Sequence, residues 1–232
     1  MTIKKLGLGI NAFSDDARRT VDRLVTNEDK ADDLIYYVES EGMVLIQGPK
    51  NSGKTRLAME VIDRFKGEGK VIYIDLDKYK KELDIGHLLV GNQGFLRRFF
   101  NRMPKDFILI VDNAINLDTD FYRRIQYFYD QGYLKSVIFI KNSYHELVLP
   151  NSMASRIGNK VINLKGLKKE DCLKIASNRL GKFFNEKHLN NIWNLSGDLS
   201  TFLGNCEKVA YHYIEEERKR LDVNFINRVL KK

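Results

Sequence analysis

Five short apolar runs, separated by segments of helical periodicity, dominate the first two thirds of the chain. They are "MVLIQ" (Met43–Gln47), "VIYIDLD" (Val71–Asp77), "FILIVD" (Phe107–Asp112), "SVIFIKN" (Ser136–Asn142) and "KVINL" (Lys160–Leu164). A strand with one wet face alternates apolar and polar residues, whereas a strand covered on both faces reads as nearly continuous apolar sequence. These runs therefore predict buried strands of a parallel sheet. Between the first two, Leu57, Ala58, Val61, Ile62 and Phe65 recur at helical spacing, and "KGEGK" ends that helix with glycines. Phe121, Ile125 and Phe128 mark another helix between the third and fourth runs. Strands alternating with helices predict an α/β fold with both sheet faces covered.

After Leu164 the pattern is purely helical. Leu173, Ile175, Ala176 and Leu180 fit one helix, and Leu189, Ile192 and Trp193 a second. Leu199, Phe202, Leu203, Cys206, Val209, Ala210 and Tyr213 give a long third; Phe225, Ile226, Val229 and Leu230 give a fourth. The change of pattern near Gly166 predicts two domains: an α/β core over 1–166 and a small all-helical domain over 167–232.

Composition narrows the class. The 232 residues, 43% hydrophobic and 30% charged, are those of a soluble globular chain. The net charge of +8 favours anionic partners, and half of it lies from Leu167 onward, where 13 Lys and Arg face 9 Asp and Glu. Cys172 and Cys206 lie far apart in helical sequence, and with only four His the chain offers neither a disulfide framework nor a Cys/His metal site. No apolar run approaches membrane-spanning length, and the N-terminus lacks the apolar stretch of a signal peptide, so a cytoplasmic protein is expected.

The first chemical signal is "GPKNSGKT" after the first strand. Gly48-x-x-x-x-Gly53-Lys54-Thr55, between a buried strand and an amphipathic helix, is the phosphate-binding loop pattern in its required setting. Glycines let backbone N–H groups converge on phosphate oxygens, and the following helix points its positive dipole end at them. Lys54 is placed to reach the β- and γ-phosphates, and the Thr55 hydroxyl to bind Mg²⁺. Gly48, Pro49, Lys50, Asn51, Ser52, Gly53, Lys54 and Thr55, with Arg56 following, form the candidate nucleotide-binding set. Asp112 ends the third strand. Alone, such an aspartate most simply caps the next turn; beside a phosphate loop it is the second Mg²⁺ ligand, opposite Thr55.

The order of "GPKNSGKT", "FILIVDNA", "IFIKNS", "SRIGNKVINLKGL" and four trailing helices resembles the AAA+ ATPase superfamily over nearly the whole chain. Within it the sequence looks most like the origin-recognition and DnaA-like initiator branch and related archaeal ATPases. "LGLGINAFS" is similar to a G-x-x-x-N-P-F opening of some members, with Ala12 in place of Pro. The resemblance implies a P-loop NTPase αβα sandwich of strand order 5-1-4-3-2 with a helical lid, and ATP as the nucleotide, its adenine between core and lid near Arg23–Lys30. It implies that Asn142 senses the γ-phosphate or orients the attacking water. It makes Arg156 a finger reaching a neighbouring subunit's site, so that the chain acts as a homo- or hetero-oligomer; a guanidinium suits this, being always charged and bidentate toward phosphate. Against these stand the plainer readings of Asn142 as a strand-closing turn residue and of Arg156 as a surface arginine.

Two positions depart from the family. Asn113 stands where a glutamate usually polarises the lytic water; an amide orients water but does not take its proton. Ser200, after Gly197, stands where the lid usually supplies an arginine. Nucleotide binding with slow or partner-stimulated hydrolysis is therefore expected, with Lys54, Asp112, Asn113, Asn142 and Arg156 as the catalytic set.

Three uses of such a machine fit the sequence. One is a DNA transaction such as replication or recombination. No winged-helix domain follows the lid in this sequence, so "GFLRRFFNRMPK" (Gly94–Lys105) or the runs "EEERKR" and "RVLKK" would carry DNA contact. Buried Phe with solvated Arg explains the first segment more simply, and a solvated helix face the second. Another is a nucleotide-controlled switch that binds a protein. The last is a small-molecule kinase using Asp75 or Asp77 as its carboxylate base, against which stand the four C-terminal helices and Arg156.

Overall fold

The computed structural model describes residues 3–20, 26–65, 70–78, 86, 105–114, 117–142 and 149–231. The chain divides into two compact units, Asn27–Lys165 on the one hand and Met1–Thr26 with Gly166–Lys232 on the other.

The first unit is built on five parallel strands: β1 (Met43–Gly48), β2 (Val71–Asp75), β3 (Phe107–Asp112), β4 (Leu134–Asn142) and β5 (Val161–Asn163). Their order is β2-β3-β4-β1-β5, the expected order read from the other edge, and the fold is that of a P-loop NTPase. All six residues of β3 are buried, which is why that run carries no alternation. One sheet face packs Met43, Leu45, Leu109, Val111, Val137 and Phe139 against Phe121 and Ile125 of α3 (Thr119–Asp130) and Met153 and Ile157 of α4 (Asn151–Ile157). By strand alternation Val44, Ile46, Ile108, Ile110, Ile138 and Ile140 face the other way, and all are buried. Helices α1 (Glu28–Glu39) and α2 (Lys54–Phe65) pack on β1 from that side. The Asp118 carboxylate caps α3, accepting from the Phe121 N–H at 2.6 Å.

Strand ends differ from the sequence reading for a reason of register. β2 pairs with β3 from Val71↔Ile108 to Asp75↔Asp112. β3 stops at Asp112, so beyond Asp75 there is nothing to pair with, and Leu76–Lys78 turns into a 3₁₀ helix instead of extending the strand to Asp77. Among the described residues two helices were unforeseen, and both leave weak periodic signals: α1 buries only Leu34 and Val38, and α4 has seven residues.

The second unit holds α5 (Lys169–Leu180), α6 (Glu186–Trp193), α7 (Leu199–Glu215) and α8 (Val223–Leu230). Asn185, Asp198 and Asp222 cap the last three, each accepting from the backbone N–H three residues on, at 2.9–3.1 Å. Such a cap contributes about 1 kcal/mol. The core contains Leu8, Ala12 and Phe13 beside Ala176, Leu180, Phe202, Leu203, Val209, Phe225 and Ile226. The N-terminal segment, placed with residues 1–166 by the sequence pattern, thus groups with the helices. Polar contacts tie it there: Arg179 donates to the Ser14 carbonyl at 2.6 Å, and the Ser200 hydroxyl to the Asp15 carboxylate at 2.6 Å. Cys172 and Cys206 are both buried and unpaired. Burial pushes the Cys172 thiol up to about 11 and the Cys206 thiol higher still, so neither is a reactive thiolate at neutral pH.

His188 makes this unit sensitive to acid. It is 9% exposed, and its Nδ1 is buried with no partner. Burial lowers its pKa, reinforced by Lys187 and opposed by Asp222. The unfolded chain therefore binds the proton more readily than the folded one. Stability is full above the unfolded value of about 6.5 and falls as pH drops through it toward the lowered folded value. Thermal unfolding at pH 7.5 and pH 5.0 should show a loss at the lower pH that His188→Gln reduces; an unchanged pH dependence in that variant would remove His188 as its source.

Candidate functional site

The turn between β1 and α2 is shaped by two glycines. A Cβ on Gly48 would lie 2.6 Å from the Leu164 carbonyl oxygen and 2.8 Å from the Ser52 hydroxyl, so only hydrogen fits. Gly53 has φ +88°, in the region that side chains resist. Asn51 takes φ 59°, which asparagine tolerates better than most residues. Ser52 is fully buried under the turn, and α2 begins directly at Lys54. Gly48→Ala is expected to destabilise the protein by about 1–3 kcal/mol, because backbone has to move. A lowered urea midpoint with unchanged slope is the measurement; a midpoint equal to wild type would show that the turn relaxes freely.

Lys54 folds back over this loop. Its ammonium donates to the Pro49 carbonyl at 2.6 Å and the Gly48 carbonyl at 3.0 Å, and lies 3.4 Å from Asn142 Oδ1. Burial lowers its pKa, and Asp112 acts in the opposite direction. Asn142 reaches the loop because β4 pairs with β1 in the register Gly48↔Asn142.

Asp112 is 4% exposed at the end of β3. Strand alternation and register put it on the sheet face covered by α2, together with Tyr73 and Asp75 of β2. The Thr55 hydroxyl donates to Asp112 Oδ2 at 2.8 Å, and the Tyr73 hydroxyl donates to the same oxygen. The Asn113 N–H donates to Oδ1 at 2.8 Å. Asn113 has φ 56°, and its side-chain amide donates to Asp75 Oδ1 at 2.8 Å. Asp75 is 8% exposed, and its Oδ2 lies 3.6 Å from the Lys78 ammonium.

The fold thus brings together Gly48, Gly53, Lys54, Thr55, Asp112, Asn113 and Asn142. Pro49 supplies a carbonyl to Lys54, and Lys50 is exposed at the tip of the turn. The Arg56 guanidinium is turned along α2 instead, 2.5 Å from Glu60 and 3.5 Å from Asp63. Arg156 lies elsewhere: it pairs with Asp130 at 2.7 Å and lies over the Tyr129 ring, whose hydroxyl donates to the Glu41 carbonyl. Glu41 precedes β1, so Arg156 sits at the end of the sheet opposite the loop.

Tyr73 had no place in the sequence reading, although its position two residues before Asp75 on a strand was a usable sign that both share a face. The segment Gly94–Lys105 lies outside the described residues save for Lys105, as do Arg23–Val25 of the adenine segment. Within the run at Glu215–Arg220, Glu216 and Arg218 make contacts inside their own unit. Glu216 pairs with Arg228 at 2.5 Å, and Arg218 lies over the Phe225 ring at 4.8 Å. Among the described residues no helix is long and apolar enough to cross a membrane.

These residues suit a magnesium–nucleoside triphosphate. The turn admits no side chain at Gly48, a lysine and a helix N-terminus converge on it, and a hydroxyl and a carboxylate stand 2.8 Å apart beside it.

Residues 40–171 match the profile of the AAA domain family. No curated protein matches the sequence. Among solved structures, the chain is similar to the Orc1 protein of Aeropyrum pernix in complex with DNA, with TM-score 0.71 and 15% identity over 94% of this chain and 68% of that one. It is similar to Cdc6p from Pyrobaculum aerophilum, with TM-score 0.67 and 16% identity over 92% and 68%. It is similar to domain III of the replication initiation protein DnaA from Thermotoga maritima, with TM-score 0.64 and 17% identity over 97% of both chains.

Proposed function

Since this chain belongs to the AAA domain family, we propose that it binds ATP with Mg²⁺ at the Gly48–Thr55 loop and turns it over slowly, as an assembly switch. The observation that carries the reading is the Thr55–Asp112 contact of 2.8 Å beside the loop that holds Lys54. In this reading the loop amides and Lys54 hold the β- and γ-phosphates, and Thr55 and Asp112 hold the metal. Bound there, magnesium neutralises charge on the phosphate oxygens. Asn142, already 3.4 Å from the Lys54 ammonium, reports on the γ-phosphate.

Slow turnover follows from two positions. Asn113 brings no carboxylate of its own, and Ser200 brings no cation. Arg156, at the far end of the sheet from its own loop, serves a second subunit; an arginine finger supplies about 10³–10⁵ in rate. The protein is then nearly inactive alone and active in an assembly. ATP-dependent association lost in Arg156→Ala, followed by size exclusion with light scattering in ATP, ADP and no nucleotide, tests this. Association that ignores both nucleotide and Arg156 would refute it.

The process served is a DNA transaction of the kind carried out by the initiators whose fold it shares. One observation favours a second reading, a nucleotide-controlled switch on a protein partner: Glu216, Arg218 and Arg228 are spent on contacts within their own unit. Repeating the sizing with duplex DNA at low and high salt separates the two. Phosphate contacts give binding that falls steeply with salt; no DNA binding at low salt, with or without ATP, selects the protein switch.

A further inference from the structure

Resting on the Mg²⁺–ATP reading above, we propose that Tyr73 is a positioning residue whose hydroxyl competes with the metal and its waters for Asp112 Oδ2. It thereby sets how much magnesium adds to ATP affinity. A carboxylate offers about four acceptor sites, two on each oxygen. The Thr55 and Tyr73 hydroxyls both donate to Oδ2, and the Asn113 N–H donates to Oδ1. Oδ2 is thus fully used, although it is the oxygen that Thr55 touches, and Thr55 is the other residue of the metal pair. The site left on Oδ1 belongs to the oxygen that Asn113 holds. Asp112 is 4% exposed, so protein donors rather than bulk water decide what its oxygens hold.

Mg²⁺ reaches a carboxylate directly or through one of the waters it keeps, and either route needs a lone pair. The three donors differ in what they can give up. The Asn113 N–H is backbone, in a turn with φ 56°. The Thr55 hydroxyl keeps lone pairs for a metal while its hydrogen stays on Oδ2, so its two uses are compatible. The Tyr73 phenol has no such second use. Mg²⁺ selects carboxylate, phosphate, carbonyl and water oxygens, and a neutral phenol is not among them. Only the tyrosine yields its place by side-chain rotation without undoing the loop or the strand.

Length and register put this hydroxyl where it is. Tyr73 stands opposite Ile110, two residues before the Asp75↔Asp112 pair of the β2–β3 ladder. Two residues of strand rise roughly 6.6 Å, a gap that a phenol spans and a serine or threonine hydroxyl does not. Phenylalanine has the ring but no hydrogen to donate. The direction of the effect separates competition from support. A tyrosine that only braced Asp112 would help the metal, and its loss would weaken binding; the loss of a competitor strengthens it.

Calorimetry of ATP binding in saturating Mg²⁺ and in EDTA, on wild type, Tyr73→Phe, Asp112→Asn and the double variant, tests this. The ratio of affinity in Mg²⁺ to affinity in EDTA should rise about 10-fold in Tyr73→Phe, the scale of one hydrogen bond to a charged group. In the Asp112→Asn background the same change should leave the ratio alone, because the contested charge is gone. In protein carrying ¹³C at tyrosine Cζ, the resonance absent from Tyr73→Phe identifies Tyr73. In wild type it should shift when Mg²⁺–ATP is added and hold its place with ATP in EDTA.

A ratio unchanged or lowered in Tyr73→Phe, or raised equally in the Asp112→Asn background, overturns the inference and leaves Mg²⁺–ATP binding standing. A Tyr73 resonance that responds alike with and without Mg²⁺ does the same. Wild type whose ATP affinity ignores Mg²⁺ overturns it together with the metal reading, leaving nucleotide binding intact. Wild type that binds no ATP overturns all three. If Tyr73→Phe fails to fold, Tyr73→Leu, which also lacks the hydroxyl, carries the same expectation. A wild-type spectrum in which no tyrosine resonance responds to Mg²⁺ in the presence of ATP then refutes it without any variant.

Discussion

Lys54→Ala is expected to weaken Mg²⁺–ATP binding by at least about 30-fold while leaving the fold intact. The ammonium is held over the turn by the Gly48 and Pro49 carbonyls, and burial lowers its pKa, so the folded protein carries it at some electrostatic expense. Phosphate oxygens are far better acceptors for it than carbonyls, because each bond becomes charge-assisted on both sides. Removing one partner of a partly desolvated charge pair costs about 2–5 kcal/mol of binding, or roughly 30- to several-thousand-fold in Kd. The same side chain does little for folding. Calorimetry and thermal unfolding on one preparation should therefore disagree, with binding weakened and the melting temperature nearly kept. Retained binding would move the phosphate site away from this loop.

Asp112 separates two roles that coincide in one carboxylate. Its oxygens accept from Thr55, Tyr73 and the Asn113 backbone in a nearly solvent-free position. Asp112→Ala strands three donors; hydroxyls recover part of the loss by rotating, so the expected destabilisation is about 2–4 kcal/mol. Asp112→Asn keeps an accepting oxygen and most of the shape but removes the charge. It should fold nearly as well as wild type and bind ATP with no gain from added Mg²⁺. Chemical denaturation measures the first effect, and a magnesium titration of ATP affinity the second. If Asp112→Asn still shows a full magnesium effect, Thr55 and the nucleotide hold the metal without it.

The sheet was legible because its strands are buried on both faces, and burial of that kind leaves continuous apolar runs in the sequence. The loop was legible because its chemistry is local: eight consecutive residues hold every feature it needs. Asp112 was legible as a carboxylate ending an apolar strand. Contacts that depend on register were not. The bond between Asn113 and Asp75 spans 38 residues and exists because Asp75 is paired opposite Asp112, which no local pattern encodes. The sequence had offered Asp75 only as a kinase base. The Arg156–Asp130 pair was equally hidden, since α4 is too short to show a periodic face. "LGLGINAFS" has no period at all, and its Leu8, Ala12 and Phe13 enter a core made from the other end of the chain.

That last placement bears on how the protein is made. On the ribosome Asn27–Lys165 emerges as one uninterrupted stretch and can form its sheet before synthesis ends. Leu8 and Phe13 leave the exit tunnel early, whereas Phe225 and Ile226 of the same core come some two hundred residues later. At about 5–20 residues per second the delay is roughly ten to forty seconds. For that interval the nascent chain carries an apolar segment whose core is incomplete, an opportunity for chaperones and a hazard in their absence.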